Sequence, residues 1–111
     1  MDLVDAVYKA VRSFPRSEMF LLSQQMRSAA ISIPANIAEG NGRWTTPDYR
    51  HFVIQSRGSL LELETEILIA SRQQFLDEVA RDVLLALTQD VGRLVNGLIR
   101  YLDEDPLKPE I

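Results

Sequence analysis

The sequence contains no cysteine and only one histidine. Without cysteine the chain has no disulfide, no thiolate metal ligand and no thiol nucleophile. The single histidine, His51, has no second histidine with which to bind a metal or form a relay. We therefore expect a protein that is stabilised by packing and that uses no catalytic residue, metal, cofactor or small-molecule substrate.

Long apolar runs and an export signal are missing as well. No uncharged apolar run approaches the roughly 18 residues that a membrane span requires, and the N-terminus lacks the basic and apolar pattern of a secretory signal. We expect a cytoplasmic protein that does not associate with membranes. Its formal net charge of −4 also repels a phosphate backbone, so nucleic-acid binding would need a local basic patch.

What remains is the composition of a globular chain. The 111 residues are 46% apolar and 25% charged, which suits one domain over residues 1–111 with one modest core. Apolar residues recur every three or four positions in four segments, which predicts four helices. Their expected bounds are about 2–13, 18–39, 47–71 and 78–102, with a frayed tail at 103–111. Short connections between long helices predict an all-α, antiparallel up-down-up-down four-helix bundle.

Capping residues mark most of these boundaries. Ser17 and Asp77 are predicted N-caps, and Thr46 is predicted to cap the third helix with a proline directly after it. Gly40 is expected to stop the second helix. Pro34 lies inside that helix, where the missing N–H predicts a kink rather than a break.

The fourth helix carries the clearest apolar stripe, and the third helix is apolar on two sides. The predicted core stripe of the fourth helix consists of Ala80, Leu84, Leu87, Val91, Leu94, Val95, Leu98 and Leu102. On the third helix, Ile54, Leu61 and Leu68 repeat every seven residues, roughly 120–160° away from the stripe that contains Ser56. One core cannot bury both sides. Isolated surface leucines are common, but this repeat favours an interface between copies of the chain.

One motif resembles a known family. The run from Gln25 to Gly40, Gln-Met-Arg-Ser-Ala-Ala-Ile-Ser-Ile-Pro-Ala-Asn-Ile-Ala-Glu-Gly, is followed by Arg43. It resembles the signature of the four-helix-bundle proteins encoded in 23S ribosomal RNA intervening sequences. Two further runs, Arg-Gly-Ser-Leu at 57–60 and Asn-Gly-Leu-Ile at 96–99, fit the same pattern, so the resemblance spans roughly residues 5 to 102.

The resemblance implies a bundle that assembles as a ring-shaped homopentamer. It also implies kinship to the accessory variability determinant of diversity-generating retroelements, which binds nucleic acid. The most characteristic motif residues are Arg27, Asn36, Glu39 and Gly40. Asn36 and Glu39 could form a recognition site, but a polar network that ties the kinked helix to Arg43 or Arg57 explains the same residues and is favoured.

Three arginines and a tryptophan allow two interpretations each. Arg43, Arg50 and Arg57 could form a basic ridge that contacts phosphates, or they could flank a subunit interface and pair with carboxylates, which we favour. Trp44 could stack on a base or plug the end of the bundle, and we favour the plug.

The acidic and glycine clusters do not indicate chemistry. Glu62, Glu64 and Glu66 resemble a carboxylate cluster, but residues two apart point in different directions on a helix, and no Glu-x-x-His pair is present, so we expect no metal site. Gly40 and Gly42 precede no Lys-Ser/Thr pair and do not follow a strand, so they do not form a phosphate loop.

The sequence therefore predicts a non-enzymatic, oligomeric interaction or scaffold protein whose first partner is itself. The alternative is an RNA- or DNA-binding accessory protein, in which Arg43, Arg50 and Arg57 of several subunits combine around a ring and overcome the net negative charge.

Overall fold

The computed structural model describes residues 2–16 and 20–104, and within them it contains four helices and no strand. These are α1 (Asp2–Val11), α2 (Phe20–Asn41), α3 (Thr46–Arg72) and α4 (Glu78–Asp103). The all-α prediction is confirmed.

The predicted cap Ser17 lies outside the described residues. Asp103, predicted to begin the tail, is the last residue of α4, and residues 105–111 also lie outside the described part.

Of the two later N-caps, one was predicted correctly and the other was predicted one residue too late. The Asp77 side chain accepts a hydrogen bond from the Ala80 N–H at 2.7 Å, which confirms it as the cap of α4. The prediction for α3 was wrong by one residue, because Thr45 rather than Thr46 accepts from the Asp48 N–H, at 3.3 Å. Pro47 permits either arrangement, since N–H groups in the first turn have no partner within the helix.

Each helix packs against the next one in the sequence, and α1 also packs against α4. Side-chain contacts show that α2, α3 and α4 are successively antiparallel. Ser32 of α2 meets Ser59 of α3 at 2.8 Å, and Arg50 near the start of α3 meets Asp103 at the end of α4 at 2.5 Å. The bundle is elongated, with principal extents of 51 × 22 × 19 Å.

The core divides into two clusters because α1 is short. Ten residues of α1 extend about 15 Å, whereas 27 residues of α3 extend about 40 Å. One cluster joins all four helices, with Val7, Met26, Leu63 and Leu84 among its buried members. The other contains Val53, Val95, Ile99 and Leu102, with Ile37 of α2 packed against it and no residue of α1. We call these regions the four-helix half and the three-helix half.

Leu94 shows the consequence for α4. It was predicted to be a core residue, but it is 75% exposed. The apolar stripe of α4 continues along the whole helix, whereas the α1 partner covers only part of its length. The prediction was wrong because the periodicity of one helix does not show how far its neighbour reaches.

Gly40 has a different role from the predicted one. α2 continues through Asn41, and Gly40 is buried within it with no positive φ, so it does not stop the helix. A Cβ added there would lie 2.8 Å from the Phe52 Cβ and 2.9 Å from Cδ1 of Tyr49. The absence of a side chain therefore allows α2 to approach α3 closely. Pro34 lies within α2, which continues on both sides of it.

Candidate interaction surfaces

The outer face of α3 carries exposed leucines. Leu61 is 57% exposed and Leu68 is 52% exposed, while Leu60, Leu63 and Ile67 of the same helix are buried. Ile54, predicted to belong to this face, is only partly exposed because it packs against the second core cluster. Ile69, next to Leu68 in the chain, is exposed as well. The two-sided character of α3 is therefore present, but its exposed side is centred on Leu61 and Leu68.

Two of the three candidate arginines are engaged with carboxylates of the same chain. Arg43 pairs with Glu39 at 2.5 Å and lies over the Phe52 ring, with its guanidinium carbon 4.6 Å from the ring centroid. Arg50 pairs with Asp103 at 2.5 Å. These pairs lie within one chain rather than across an interface, and they neutralise much of the positive charge that the arginines would offer to a phosphate.

Arg57 differs from the other two arginines. Its side chain is exposed and has no ion pair or hydrogen bond with any residue in 2–16 or 20–104. It lies two turns along α3 from Arg50, on the side of the helix that carries Leu61 and Leu68. Of the three arginines in the basic ridge, which was the less favoured interpretation of the sequence, only Arg57 is thus unpaired within the described residues, and it lies beside an apolar face.

The motif residues of α2 make contacts within the bundle. The Asn36 amide donates to the Ser32 carbonyl at 2.8 Å and to its hydroxyl at 2.9 Å. Ser32 also contacts Ser59 of α3. Arg27 places its guanidinium 5.9 Å from the centre of the Tyr8 ring on α1. Arg27 and Ser32 therefore connect the motif to α1 and α3, whereas the Asn36 bonds and the Glu39–Arg43 pair are local to α2 and the turn after it.

Glu66 is a buried acid that the sequence analysis did not single out. Its side chain is only 5% exposed, and its Oε1 atom has no hydrogen-bond partner among the described residues. The pKa of Glu66 is raised to about 7, mainly by burial and in addition by the charge of Glu62 and a hydrogen bond to it. The spacing of four residues, which puts both acids on one side of α3, was the available signal.

No group in the described part of the chain has the composition of a metal site. No cluster of three or more His, Asp or Glu side chains occurs within residues 2–16 and 20–104. His51 is exposed, and its Nε2 lies 3.0 Å from the Gln55 amide nitrogen. Across the same residues, every helix is too short or too polar to cross a lipid bilayer.

Trp44 contradicts the expectation that it plugs the bundle. It is 100% exposed in the turn between α2 and α3. Full exposure of so large an apolar ring is unusual, because tryptophan is highly buried on average. The sequence placed Trp44 in a loop but could not show on which side of that loop the ring would lie.

A groove lies between α2 and α4, beside the first turn of α1. It has a volume of about 340 Å³, and Leu3, Ile33, Pro34, Ile37, Val91 and Leu94 supply most of its apolar lining. Asp2 and Asp90 also line it. The groove marks the transition from the four-helix half to the three-helix half, where α2 and α4 continue without α1 between them. Sequence reasoning missed it because Leu94 had been assigned to the core.

The fold and these surfaces define a class, that of small helical bundles that expose apolar side chains on more than one face. Comparison with known proteins identifies the family within that class. The profile of the 23S rRNA-intervening sequence protein family matches residues 1–97, and the chain belongs to this family. The family predicted from the Gln25 to Gly40 motif is therefore confirmed.

A solved structure supports the fold. The chain is similar to a protein of unknown function from the S23 ribosomal protein family of Bacteroides thetaiotaomicron, with a TM-score of 0.77 and 18% sequence identity. The similarity covers 87% of this chain and 88% of the other. At this identity the comparison establishes the fold alone. No curated protein matches the chain significantly.

Proposed function

We propose that the protein is a non-enzymatic interaction protein that associates with itself through the outer face of α3, as a scaffold for a further macromolecule. The observation that carries the proposal is the exposure of Leu61 and Leu68 on a helix whose opposite side is fully buried. Contiguous exposed aliphatic side chains are typical of association surfaces. Both leucines are already about half buried, so burying the rest of each against a partner would stabilise the assembly by about 1 kcal/mol.

The form of the proposed assembly is taken from the family resemblance. It implies a ring-shaped homopentamer, and we adopt that form, with a location in the cytoplasm. A ring requires two different surfaces on each subunit, since identical surfaces meeting face to face close as a pair. The α3 face is one of these surfaces in the proposal.

The test compares two double variants of the full chain. Leu61→Glu/Leu68→Glu should shift the protein toward a single copy in sedimentation velocity and native mass spectrometry, because each buried carboxylate would lack a partner. The matched control is Leu21→Glu/Ile31→Glu, which places the same charges on exposed aliphatic positions of α2. The control should keep the wild-type assembly. A wild-type protein that is a single copy at high micromolar concentration would contradict the proposal.

Nucleic-acid binding is the second candidate, and the free guanidinium of Arg57 is the observation that favours it. In this hypothesis Arg57 and Arg50 of several subunits line one ring and contact phosphates, in keeping with the kinship to the retroelement accessory protein that the resemblance implies. Binding would then weaken steeply with salt and with Arg57→Ala. RNA and DNA binding that is absent at low salt would exclude it.

A further inference from the structure

We infer that Trp44 of one copy inserts into the groove between α2 and α4 of a neighbouring copy. This inference rests on the self-association proposed above and supplies a second pair of surfaces for it. Trp44 projects from the turn at one end of the bundle and is fully exposed. The groove is an apolar concavity that residues 2–16 and 20–104 leave open. Within this described part of the chain, each surface lacks the kind of contact that the other provides.

The groove has the dimensions and chemistry that an indole ring needs. Its volume of about 340 Å³ is at the small end of the range of about 300–1,000 Å³ for side-chain and ligand pockets. Its walls are aliphatic. A buried indole also needs an acceptor for its N–H, and two acidic residues, Asp2 and Asp90, are among those that line the groove. Asp90 pairs with Arg93, whereas Asp2 has no ion pair with any residue that the structure describes.

The charges around Trp44 favour a protein partner over nucleic acid. Among the residues that the structure describes at this end of the bundle there are three arginines and four carboxylates: Arg43, Arg50 and Arg100 against Glu39, Asp48, Asp103 and Glu104. Two of the arginines are already paired. A base could stack on the ring, but its phosphates would meet a slightly acidic surface.

A contact of this kind continues from copy to copy. Trp44 and the groove are different surfaces, so two copies joined by one insertion still offer a free tryptophan and a free groove. Such heterologous contacts extend until they close into a ring. A single tryptophan buries only about 150–250 Å², far less than the roughly 1,600 Å² of a standard interface, so Trp44 acts as an anchor beside the α3 contact.

The fluorescence of Trp44 itself can be used to follow the contact. Trp44 is the one tryptophan of the sequence, so selectively excited indole emission reports on this residue alone. A dilution series should be followed by emission and by sedimentation velocity on the same samples. We expect the emission to shift to shorter wavelength as the protein associates, because the ring leaves water.

Two substitutions on α4 test the groove. Leu94 and Val79 are both 75% exposed, but only Leu94 lines the groove. Leu94→Glu should keep the emission of a water-exposed indole and weaken association by about tenfold or more, as expected for an anchor contact. Val79→Glu should behave as wild type within about twofold. Circular dichroism of both variants should show the wild-type helical content.

A mixing experiment tests that the contact joins two different surfaces. Trp44→Ala has an intact groove and no indole, whereas Leu94→Glu has an indole and a blocked groove. Neither should form the contact alone. Adding Trp44→Ala to Leu94→Glu should shift the emission to shorter wavelength, because the indole of one variant enters the groove of the other. No shift over the concentrations at which the wild type associates would overturn the inference.

The remaining outcomes separate this inference from the proposed function. Association of the wild type without any change in emission would overturn the Trp44 contact and leave self-association through α3 standing. An emission shift that survives Leu94→Glu would show that Trp44 is buried elsewhere, which overturns the assignment of the groove. A wild-type protein that remains a single copy at every concentration would overturn both.

Discussion

The core is closed in different ways in the two halves of the bundle. In the four-helix half, α1 closes the core, and large side chains such as Met26, Leu63 and Leu84 are almost completely buried. In the three-helix half, the smaller cluster around Val53 and Val95 is closed by close approach of α2 to α3 at Gly40. The difference teaches that a bundle can end one helix early, provided that two of the remaining helices pack closely, and that the end of the short helix leaves an apolar groove between its neighbours.

Leucine truncation on α4 should sharpen this comparison most. Leu84 lies in the four-helix half and Leu102 in the three-helix half, and both are buried. Leu84→Ala should lower the free energy of unfolding by about 2–5 kcal/mol, because the surrounding side chains from several helices cannot fill the cavity. Leu102→Ala should cost about 2 kcal/mol, at the lower end of that range, since a site near the helix end can collapse. Urea unfolding of the two variants, at a protein concentration low enough to keep a single copy, measures both losses in the free energy of unfolding. Equal losses would contradict a difference between the halves.

Glu66 contrasts with the apolar core of the four-helix half, because it is an acid among buried residues. Its pKa is about 7 in the folded protein against an ordinary value of 4.5, so the folded state holds a proton that the unfolded state releases. The stability that this proton contributes is fully present below about pH 4.5 and is lost as the pH rises through 7.

Glu66→Gln keeps the side chain neutral at every pH. The variant should unfold like the wild type near pH 4 and be more stable at pH 8, by up to about 3 kcal/mol. Thermal or urea unfolding between pH 4 and 8 measures the difference. Parallel pH curves for the two proteins would show that Glu66 does not hold the extra proton.

Two glycines give the smallest expected effects and opposite signs. Gly40→Ala should destabilise the protein by about 1–3 kcal/mol, because the new Cβ would overlap Phe52 and Tyr49 and push α2 away from α3. Gly58→Ala is the matched control, since a Cβ there meets nothing within 4 Å. It should stabilise α3 by about 0.5–1 kcal/mol, because alanine loses less backbone entropy than glycine. Equal effects at the two sites would contradict the close approach at Gly40.

The sequence predicted the features that depend on periodicity and capping. The four helices, the cap at Asp77 and the exposed leucines of α3 follow from spacing and residue type along one segment. Leu94, Gly40 and Ile54 were misplaced because their surroundings depend on how far a second helix reaches and how closely it packs. The direction of Trp44 depends on the conformation of a turn, for which neighbouring residues give no strong rule.

The position of Glu66 could be predicted only in part from the sequence. Its spacing from Glu62 could be seen in the sequence, but the two acids were considered together with Glu64, which points elsewhere on the helix. Burial of one member of such a pair requires knowledge of the side of α3 that faces α2. The candidate surfaces therefore had to be found from packing, whereas the family could be identified from the motif itself.

The hydroxyl contacts between α2 and α3 have a consequence for the uniqueness of the fold. Two helices joined only by aliphatic side chains could slide by one turn, about 5.4 Å, and still bury similar area. Here the Ser56 hydroxyl donates to the Ile33 carbonyl at 2.8 Å, and Ser32 meets Ser59 at the same distance. A slipped pairing would break both of these contacts between α2 and α3, so they favour the observed register over its neighbours.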